Sequence, residues 1–503
     1  MTDRSTKLLL LASVFVIATC GLIYELIAGT LASYLLGDSV TQFSLVIGIY
    51  LSAMGAGSYW SKFVTRAEGR LFVRIQLLIG LLGGWSAAVL FVLFPRVGSL
   101  QLPLFCLIGA IGVLVGLEIP LLLRMLKGRL EFKDLVARVF AFDYAGALVA
   151  SLLFPLLLVP HLGLVRSSLL FGMLNILVGL GTLRVLPDLG GAVKGIILSG
   201  LLILASELVG FVGADRLLAW AEKATYVDTV VFAKSSRYQR IVITRSGSDL
   251  RLHLNGNLQF SSRDEYRYHE ALVHPGLSRL PEARDILVLG GGDGLAVREA
   301  LRYPQVRSVA LVDLDPEMTK LFSSQAMLTN LNRGSLSNPK VRVANADAFS
   351  WLAANTNQFD FVIADFPDPS TFSIGKLYTT AFYARLRTAL APGAAVVIQC
   401  TSPYVARKSF WCIDETLRAS GFTTEPYHLY VPSFGEWGYI LASLDPIPPR
   451  LKLPDGLKYI TEADCREMFR FPPDMDRVPA EVNRLNNQTL VRYFEEEWLH
   501  YVH

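Results

Sequence analysis

The sequence predicts two fold classes in one chain: an N-terminal α-helical bundle, and a C-terminal doubly wound α/β domain behind a small β-unit. Three observations predict it. First, 52% of the 503 residues are hydrophobic and the mean hydropathy is positive, more apolar than an ordinary soluble protein. The excess lies in the first 212 residues. Second, from about residue 225 charged residues, turn signals and alternating patterns replace it. Third, residues 286–294 (Ile-Leu-Val-Leu-Gly-Gly-Gly-Asp-Gly) read as a strand entering a glycine turn, and a helix-forming segment follows from Leu295 to Arg302.

The N-terminal half carries seven candidate spans, at about 8–29, 40–60, 75–94, 102–124, 139–160, 165–186 and 193–213. Each is near the length that crosses a bilayer, roughly 20 residues. A buried core would not need so many long runs in succession. The first run has no small-residue cleavage site and leads straight into the next, so it reads as a retained helix rather than a signal peptide. Met54-Gly55-Ala56-Gly57-Ser58 and Ala145-Gly146-Ala147 let helices approach closely. Glu25, Glu118, Asp143 and Glu207 lie within or beside spans. Charge at the bilayer centre costs at least roughly 2.5–3.5 kcal/mol, so such acids face a bundle interior or cavity. They serve either as a site or path for a cation, or as interhelical hydrogen-bonding groups.

Net charge is +4, with no basic tract of the kind that binds nucleic acid. Much of the excess sits in loops: Lys62, Arg66, Arg70 and Arg74, then Lys127, Arg129, Lys133 and Arg138. With every span crossing, the N-terminus and the 62–74, 124–138 and 184–194 loops share one side, which the positive-inside rule makes cytoplasmic. Seven crossings then put the C-terminal domain outside. The five cysteines (20, 106, 400, 412 and 465) show neither CxxC nor metal-ligand spacing and read as packing residues.

In the C-terminal half, Thr229–Phe232, Arg240–Thr244 and Leu250–Leu254 read as strands, with Asn255-Gly256-Asn257 as a hairpin turn. Ser261 to Glu270 is polar and helix-like. Strands then alternate with helices: Ile286–Leu289, Ser308–Val312, Val341–Val343, Phe361–Ala364 and Ala394–Gln399. That alternation predicts a mostly parallel sheet with its ligand at the carboxyl strand ends. Acids fall there in turn: Asp293, Asp313, Asp347, then Asp365 and Asp368. A turn built for phosphate offers N–H groups and avoids an acid, so Asp293 favours a cationic nucleoside over a dinucleotide. An acid at the second strand end suits ribose hydroxyls, and one after the third suits an adenine amino group. Each acid alone fits a helix cap; their convergence on one rim favours a site.

At this point the chain resembles the spermidine synthase family of aminopropyltransferases. Gly290-Gly291-Gly292-Asp293-Gly294 is similar to the family's donor loop. Arg237-Tyr238-Gln239, Leu258-Gln259 and Asp264-Glu265-x-x-Tyr268-His269-Glu270 are similar to its β-unit and linking segment. Val312-Asp313-Leu314-Asp315 is similar to its ribose motif, with Asp where Glu is usual. The resemblance covers about 226–445, and the membrane half also looks like that of membrane-embedded members.

It implies a Rossmann-like core of the methyltransferase and spermidine synthase type. It also implies transfer of the aminopropyl group of decarboxylated S-adenosylmethionine to an amine, releasing methylthioadenosine. The acceptor would be putrescine, giving spermidine, or a longer polyamine. The donor is a co-substrate, and no tightly bound cofactor or metal is implied. Carried over, Gln239, Asp313, Asp347 and Ala348 hold the nucleoside. His269 and Asp293 contact the aminopropyl or polyamine part, and Asp293 counts with both groups. Asp365 accepts the proton, Asp368 anchors an amine, and Tyr268 and Gln259 line the site. Asp293 would repel the carboxylate of ordinary S-adenosylmethionine.

Three departures stand out. The family's Asp-Ser-Ser-Asp-Pro is Asp365-Phe366-Pro367-Asp368-Pro369. A downstream proline is replaced around Ser370-Thr371-Phe372. The family's Thr-Tyr-Pro-Ser-Gly segment becomes Val431-Pro432-Ser433-Phe434-Gly435-Glu436-Trp437-Gly438, closer to the thermospermine synthase branch, where Glu436 either anchors a distal amine or faces solvent.

The expectation is therefore a multi-pass inner-membrane aminopropyltransferase. Its parts are a membrane region over 1–213, a linker and β-unit over 214–280, a core over 281–445 and an extension over 446–503. The extension ends in a short helix from Leu490 to Trp498 and serves packing or a lid. Expected partners are the amine acceptor, the nucleoside donor, the lipid bilayer and, from the family, a second copy of the chain through the β-unit; nucleic acid is not among them. The alternatives are a methyltransferase-like enzyme and a membrane polyamine transporter or sensor with a non-catalytic domain. The donor is expected in the cytosol. The core is therefore expected on the cytoplasmic face, against the charge count, which requires one miscounted or re-entrant span.

Overall fold

The computed structural model describes residues 3–36, 39–65, 67–97, 100–127, 131–184, 193–449 and 451–502. Arg66, Arg129 and the loop residues 185–192, whose charges enter the topology reading, lie outside the described residues. The chain divides into two compact units, residues 1–228 and 229–503.

Among the described residues, seven α-helices form the first unit: α1 (Asp3–Leu36), α2 (Ser39–Trp60), α3 (Glu68–Leu93), α4 (Gln101–Leu126), α5 (Phe132–Leu153), α6 (Gly163–Thr182) and α7 (Val193–Thr225). By length and composition, six apolar helical runs among the described residues are able to cross a membrane. The fifth, Lys133–Thr182, takes in both α5 and α6, joined by a π-helical turn over Phe154–Leu162. That run doubles back. Pro155 and Pro160 lack the N–H that an α-helix needs, and Gly163 leaves the helix at φ 71°, ψ 176°. Thr19 Oγ1 donates to the Gly146 carbonyl at 3.2 Å, and the adjacent Cys20 Sγ donates to the Phe171 carbonyl at 3.6 Å. In a straight helix residues 146 and 171 would lie about 37 Å apart. One level of α1 touches both, so the run folds back between α5 and α6, and both pack against α1. Among the cysteines, Cys20, Cys400, Cys412 and Cys465 are buried as packing residues should be, whereas Cys106 is exposed.

The second unit opens with an antiparallel sheet in the order β1 (Thr229–Ser235), β2 (Arg240–Ser246), β3 (Asp249–Leu254), β4 (Asn257–Ser261). Asn255 (φ 51°) and Gly256 (φ 85°) make the predicted turn, both left-handed as a two-residue hairpin demands. Its outgoing arm, β4, is longer than the turn signal alone suggests. Helix α8 (Glu265–Leu277) follows.

A seven-stranded sheet comes next. Its elements are β5 (Asp285–Gly290), α9 (Leu295–Ala300), β6 (Ser308–Asp313), α10 (Pro316–Ser324), α11 (Ala326–Leu331), β7 (Val341–Asn345), α12 (Ala348–Ala354) and β8 (Phe359–Asp365). The chain continues through α13 (Phe372–Gly375), α14 (Thr380–Thr388), β9 (Leu390–Gln399), α15 (Arg407–Ala419), β10 (Thr423–Val431) and β11 (Gly435–Ser443). Strand order is β10-β11-β9-β8-β5-β6-β7. Strands β5 to β9 are parallel; β10 and β11 join antiparallel. Strand β5 is buried on both faces, Ile286 to Leu289 at 0% exposure, as a central parallel strand requires. The closing hairpin β10–β11 lies beyond the predicted alternation. Pro426 within β10 demotes the pattern, and it is tolerated because β10 is an edge strand.

The remainder carries α16 (Glu462–Glu467) and α17 (Thr489–Val502). Leu490 and Tyr493 are buried against the sheet's helices. Glu497 accepts from Lys408 N, Ser409 N and Ser409 Oγ, covering the open N–H groups that start α15.

Candidate active site

Sheet order builds the site. From β5 the chain steps outward to β6 and β7, then returns to β8 on the other side, opening a switch point at the carboxyl ends of β5 and β8. Gly290 pairs with Asp365 there. Gly290 has φ 79°, and a Cβ would stand 2.2 Å from the Asp365 carbonyl, so only glycine fits. Gly292 N donates to Asp313 Oδ2 at 2.9 Å, and a Cβ on Gly292 would meet that carboxylate at 2.6 Å. The turn thus lies against the ends of both neighbouring strands.

Four acids face this rim. Burial raises Asp293, against the lowering charge of His269; its Oδ1 accepts from Leu295 N at 2.8 Å. Asp313 is pushed up to about 6 by burial, although Gly292 N and Asp315 N both donate to it. Asp365 accepts from the Tyr268 hydroxyl at 2.6 Å. It too is raised to about 6, by burial first and the Asp293 charge next, with His269 and Tyr268 pulling the other way. Asp368 also reaches about 6 by burial, and Gln399 Nε2 donates to its Oδ1 at 3.2 Å. Three of the acids are thus poised one step below neutrality, where a carboxylate both holds cations and accepts a proton.

His269 stacks edge-on to Tyr268, ring centroids 4.9 Å apart. Its Nδ1 bonds to Glu265 Oε2 at 2.9 Å. Arg298 clamps that same carboxylate, Nη1 to Oε1 at 2.8 Å and Nη2 to Oε2 at 2.9 Å. Burial would raise Glu265, but His269 and Arg298 overcome it and hold it down at about 2. Burial would lower His269; the Glu265 bond and charge reverse this and raise it. The clamp continues through Arg298 Nε to Glu299 (2.7 Å), then His274 Nε2 (3.1 Å), whose Nδ1 meets the Tyr303 hydroxyl (3.0 Å). Glu265 and His269 stand one helical turn apart, a spacing visible in the sequence. Arg298, on another helix, carries no such signal.

The structure therefore brings Tyr268, His269, Asp293, Asp313, Asp365 and Asp368 to one rim. Other predicted residues are engaged elsewhere. Asp347 caps α12, its Oδ1 accepting from Ser350 N at 2.9 Å, and its Oδ2 pairs with Lys376 at 2.7 Å. That pairing overrides burial and lowers it. Asp347 thus makes the capping bond open to a strand-end acid, with Ala348 buried as the first residue of α12. Gln259 Nε2 donates to the nearby Asn257 carbonyl at 3.2 Å. Gln239 Nε2 donates to Asp315 Oδ2 at 3.0 Å, which ties the β-unit to the end of β6 beside Asp313. Glu436 is half-buried, and His428 holds it across the β10–β11 hairpin. Asp264, quoted above in the motif without a role, accepts from Ser433 N (2.7 Å) and Ser433 Oγ (2.9 Å) and fixes that hairpin's turn over α8. Phe434 then lies 6.1 Å from Tyr268 and 5.3 Å from Trp437, centroid to centroid, forming an aromatic wall.

Residues 265–449 match the spermine/spermidine synthase domain. The chain is 51% identical over 486 residues to a polyamine aminopropyltransferase of Leptospira interrogans, covering 97% of this chain and 98% of the relative. It is 54% identical over 510 residues to polyamine aminopropyltransferase 2 of Ralstonia nicotianae, covering 99% of both. A Mycobacterium tuberculosis polyamine aminopropyltransferase is 38% identical, with 98% of this chain and 97% of the relative covered. The similarity takes in the helical unit as well as the acid-lined rim. Across its whole length, the chain belongs to the polyamine aminopropyltransferases of the spermidine synthase family.

Proposed function

We propose that Asp365 is the proton acceptor of aminopropyl transfer and that the rim acids hold the two cationic reactants. The Tyr268–Asp365 hydrogen bond at the switch point carries this reading. An amine nitrogen attacks the methylene carbon beside the sulfonium of decarboxylated S-adenosylmethionine. The carbon–sulfur bond breaks toward sulfur, and methylthioadenosine leaves neutral. A primary amine arrives protonated near neutral pH, so a base must take its proton before attack. Asp365 takes it, and Tyr268 fixes the carboxylate's direction. Asp293 and Asp368 hold ammonium groups on either side, and Asp313 with Gln239 holds the ribose end. Because these acids are in place before the cations arrive, orientation and charge compensation need little reorganisation. The aromatic wall of Tyr268, Phe434 and Trp437 suits the methylene chain of a linear amine. With Glu436 already paired to His428, the far end of the acceptor meets an apolar surface.

The test is turnover by purified full-length protein, with decarboxylated S-adenosylmethionine against amines of increasing length, following methylthioadenosine and the new polyamine. Absence of turnover from a folded, donor-binding protein would overturn the assignment of roles. Gly292→Ala drives a methyl into Asp313. An overpacking cost of about 1–3 kcal/mol falling on the donor subsite raises the donor KM roughly ten- to hundredfold. Steady-state kinetics checks this, and an unchanged donor KM would separate Asp313 from the donor.

The pH profile is a further test. Asp313, Asp365 and Asp368 stand at about 6 in the unliganded enzyme and must be ionised to work. The kcat/KM falls as pH drops through 6, more steeply than one proton allows. In kcat the limb shifts to lower pH, because bound cations favour the ionised acids. A one-proton limb at the ordinary carboxylate pKa would contradict the shared site.

We also read residues 1–228 as lying in the inner membrane. Outward faces of α5 and α7 expose Leu148, Leu202, Val209 and Val212, which supports a lipid neighbour. We place the catalytic unit on the cytoplasmic face, where its donor is expected. Seven crossing helices and basic loops after α2 and α4 favour the other side, so a C-terminal reporter is the decisive measurement, and an outward signal rejects the assignment. A homodimer through the β1–β4 sheet is the expected assembly.

A further inference from the structure

We infer that Thr401 is a positioning residue for the acceptor amine and acts through Asp368, by directing the carboxylate that receives an ammonium group. The inference rests on the reading of Asp368 as an amine anchor. Thr401 follows the carboxyl end of β9. That end lies beside the end of β8, from which the loop carrying Asp368 departs, since Ala364 and Ile398 are paired in parallel. Thr401 is 0% exposed.

The backbone of this residue is unusual. Thr401 has φ 47°, in the left-handed region. Five non-glycine residues take such a φ among those described (Ala67, Asn255, Arg333, Thr401 and Gln488), and Thr401 alone of these is β-branched. A branched Cβ strains that conformation, whereas glycine or asparagine adopts it readily. Such strain persists only where the surroundings hold it. Here the Thr401 carbonyl accepts from Gly438 N at 2.8 Å, and Cys400 N donates to the Gly438 carbonyl at 3.0 Å. A Cβ on Gly438 would stand 2.5 Å from the Phe410 ring and 2.9 Å from the Thr401 carbonyl, so β11 approaches this closely only with glycine there. A turn alone would be better served by glycine at 401. What threonine adds is its side chain.

That side chain serves Asp368. Burial raises Asp368, and two neighbours pull it back: Gln399, whose Nε2 donates to Oδ1 at 3.2 Å, and the Thr401 hydroxyl. The hydroxyl is buried and closes no hydrogen bond of ordinary geometry with any described residue, so the Asp368 carboxyl is the acceptor within its influence. A buried hydroxyl is costly to leave unpaired. A small turn of the carboxylate toward it, as an ammonium group arrives, satisfies both. Tyr378 supports the arrangement from behind, its hydroxyl 3.2 Å from Gln399 Oε1 and 3.2 Å from the carbonyl of Pro367, the residue before Asp368. Asp368 is thus aimed before the amine binds, which is what places a flexible cation against the donor.

The test uses the full-length enzyme with putrescine and, in parallel, spermidine as acceptor. Thr401→Val removes the hydroxyl and keeps the branched shape. It is expected to raise the acceptor KM about tenfold, with kcat and the donor KM within about twofold of the wild type. Its acidic limb in acceptor kcat/KM moves to higher pH, because Asp368 rises when the hydroxyl is gone. The other titratable groups at Asp368 are Tyr378 and Cys400, which burial pushes up and keeps neutral, and Asp365, which titrates in both proteins alike. Thr401→Ser keeps the hydroxyl and eases the strain, and is expected to keep the wild-type acceptor KM and limb. Thr401→Ala repeats the loss with a smaller side chain, in case valine disturbs the packing. The inference is overturned by an unchanged acceptor KM or an unmoved limb in the valine and alanine variants, by the same defect in the serine variant, or by a donor KM that rises in step. Asp368→Asn separates this inference from the reading beneath it. An unchanged acceptor KM in that variant removes the anchor itself; a raised one, with Thr401→Val like the wild type, removes only the role of Thr401.

Discussion

Asp365→Asn lowers kcat/KM by about 10²–10⁴-fold and at the same time stabilises the catalytic unit. The first effect follows from removing the base that frees the attacking amine, a contribution of that size for a positioned acid–base group. The second follows from burial. Asp365 stands at about 6 in the folded protein and near 3.9 in an unfolded chain. The folded state therefore holds its proton more tightly. Stability contributed by that proton is present below pH 4 and is lost as pH rises through 6. Above pH 6 the ionised carboxylate is a standing cost, on the order of 2–3 kcal/mol by linkage. Asparagine carries no charge, yet its side-chain oxygen still accepts from the Tyr268 hydroxyl. The variant should unfold at higher temperature than the wild type at pH 8 and converge with it near pH 4. Retained turnover would remove Asp365 as the proton acceptor, and a lower melting temperature at pH 8 would contradict the charge argument. The pairing of lost rate with gained stability separates a catalytic acid from a structural one, because replacing a structural acid lowers both.

Much of this site was legible in the sequence, for a physical reason. A central parallel strand is an uninterrupted apolar run, so its carboxyl end is marked by the first polar residue after it. Asp293, Asp313 and Asp365, which share one rim in the structure, were picked out that way. The same mark picks out Asp347, where a strand-end acid before a helix is equally a cap: it caps α12 and pairs with Lys376, 29 residues on. Gln259 followed motif resemblance alone; its side chain bonds to the Asn257 carbonyl within β4. The β10–β11 hairpin escaped the alternation because antiparallel edge strands need no helix between them and tolerate Pro426. Seven helices were countable from apolar spacing, but the return at Gly163 was not, since hydropathy does not report a backbone angle.

Arg298→Met should destabilise the catalytic unit by about 3–5 kcal/mol at neutral pH, the cost of leaving buried charges unpaired. Arg298 satisfies Glu265 through two nitrogens, Glu299 through a third, and also donates to the Leu331 carbonyl at 3.0 Å. Glu265 and Glu299 are both held at about 2, for which this guanidinium is a shared cause. Their depressed values contribute stability above pH 4 that is lost only as pH falls toward 2. Without Arg298 the two acids return toward ordinary values, so the deficit of the variant shrinks below pH 4. Chemical denaturation across pH measures this directly; a deficit that is independent of pH would point to lost packing instead. Replacing Glu265 and Glu299 by Gln in the same chain should recover most of the lost stability, because methionine and two amides fill a similar volume with no charge to compensate. Activity should not return with it. His269 Nδ1 would face a neutral amide in place of a carboxylate, and the largest of the charges that raise it would be gone, leaving those of Asp293 and Asp365. A stable but slow triple variant, with its kcat/KM limb displaced from that of the wild type, would identify the Arg298–Glu265 clamp as the device that positions and charges His269. A triple variant with wild-type rate would make the clamp purely structural.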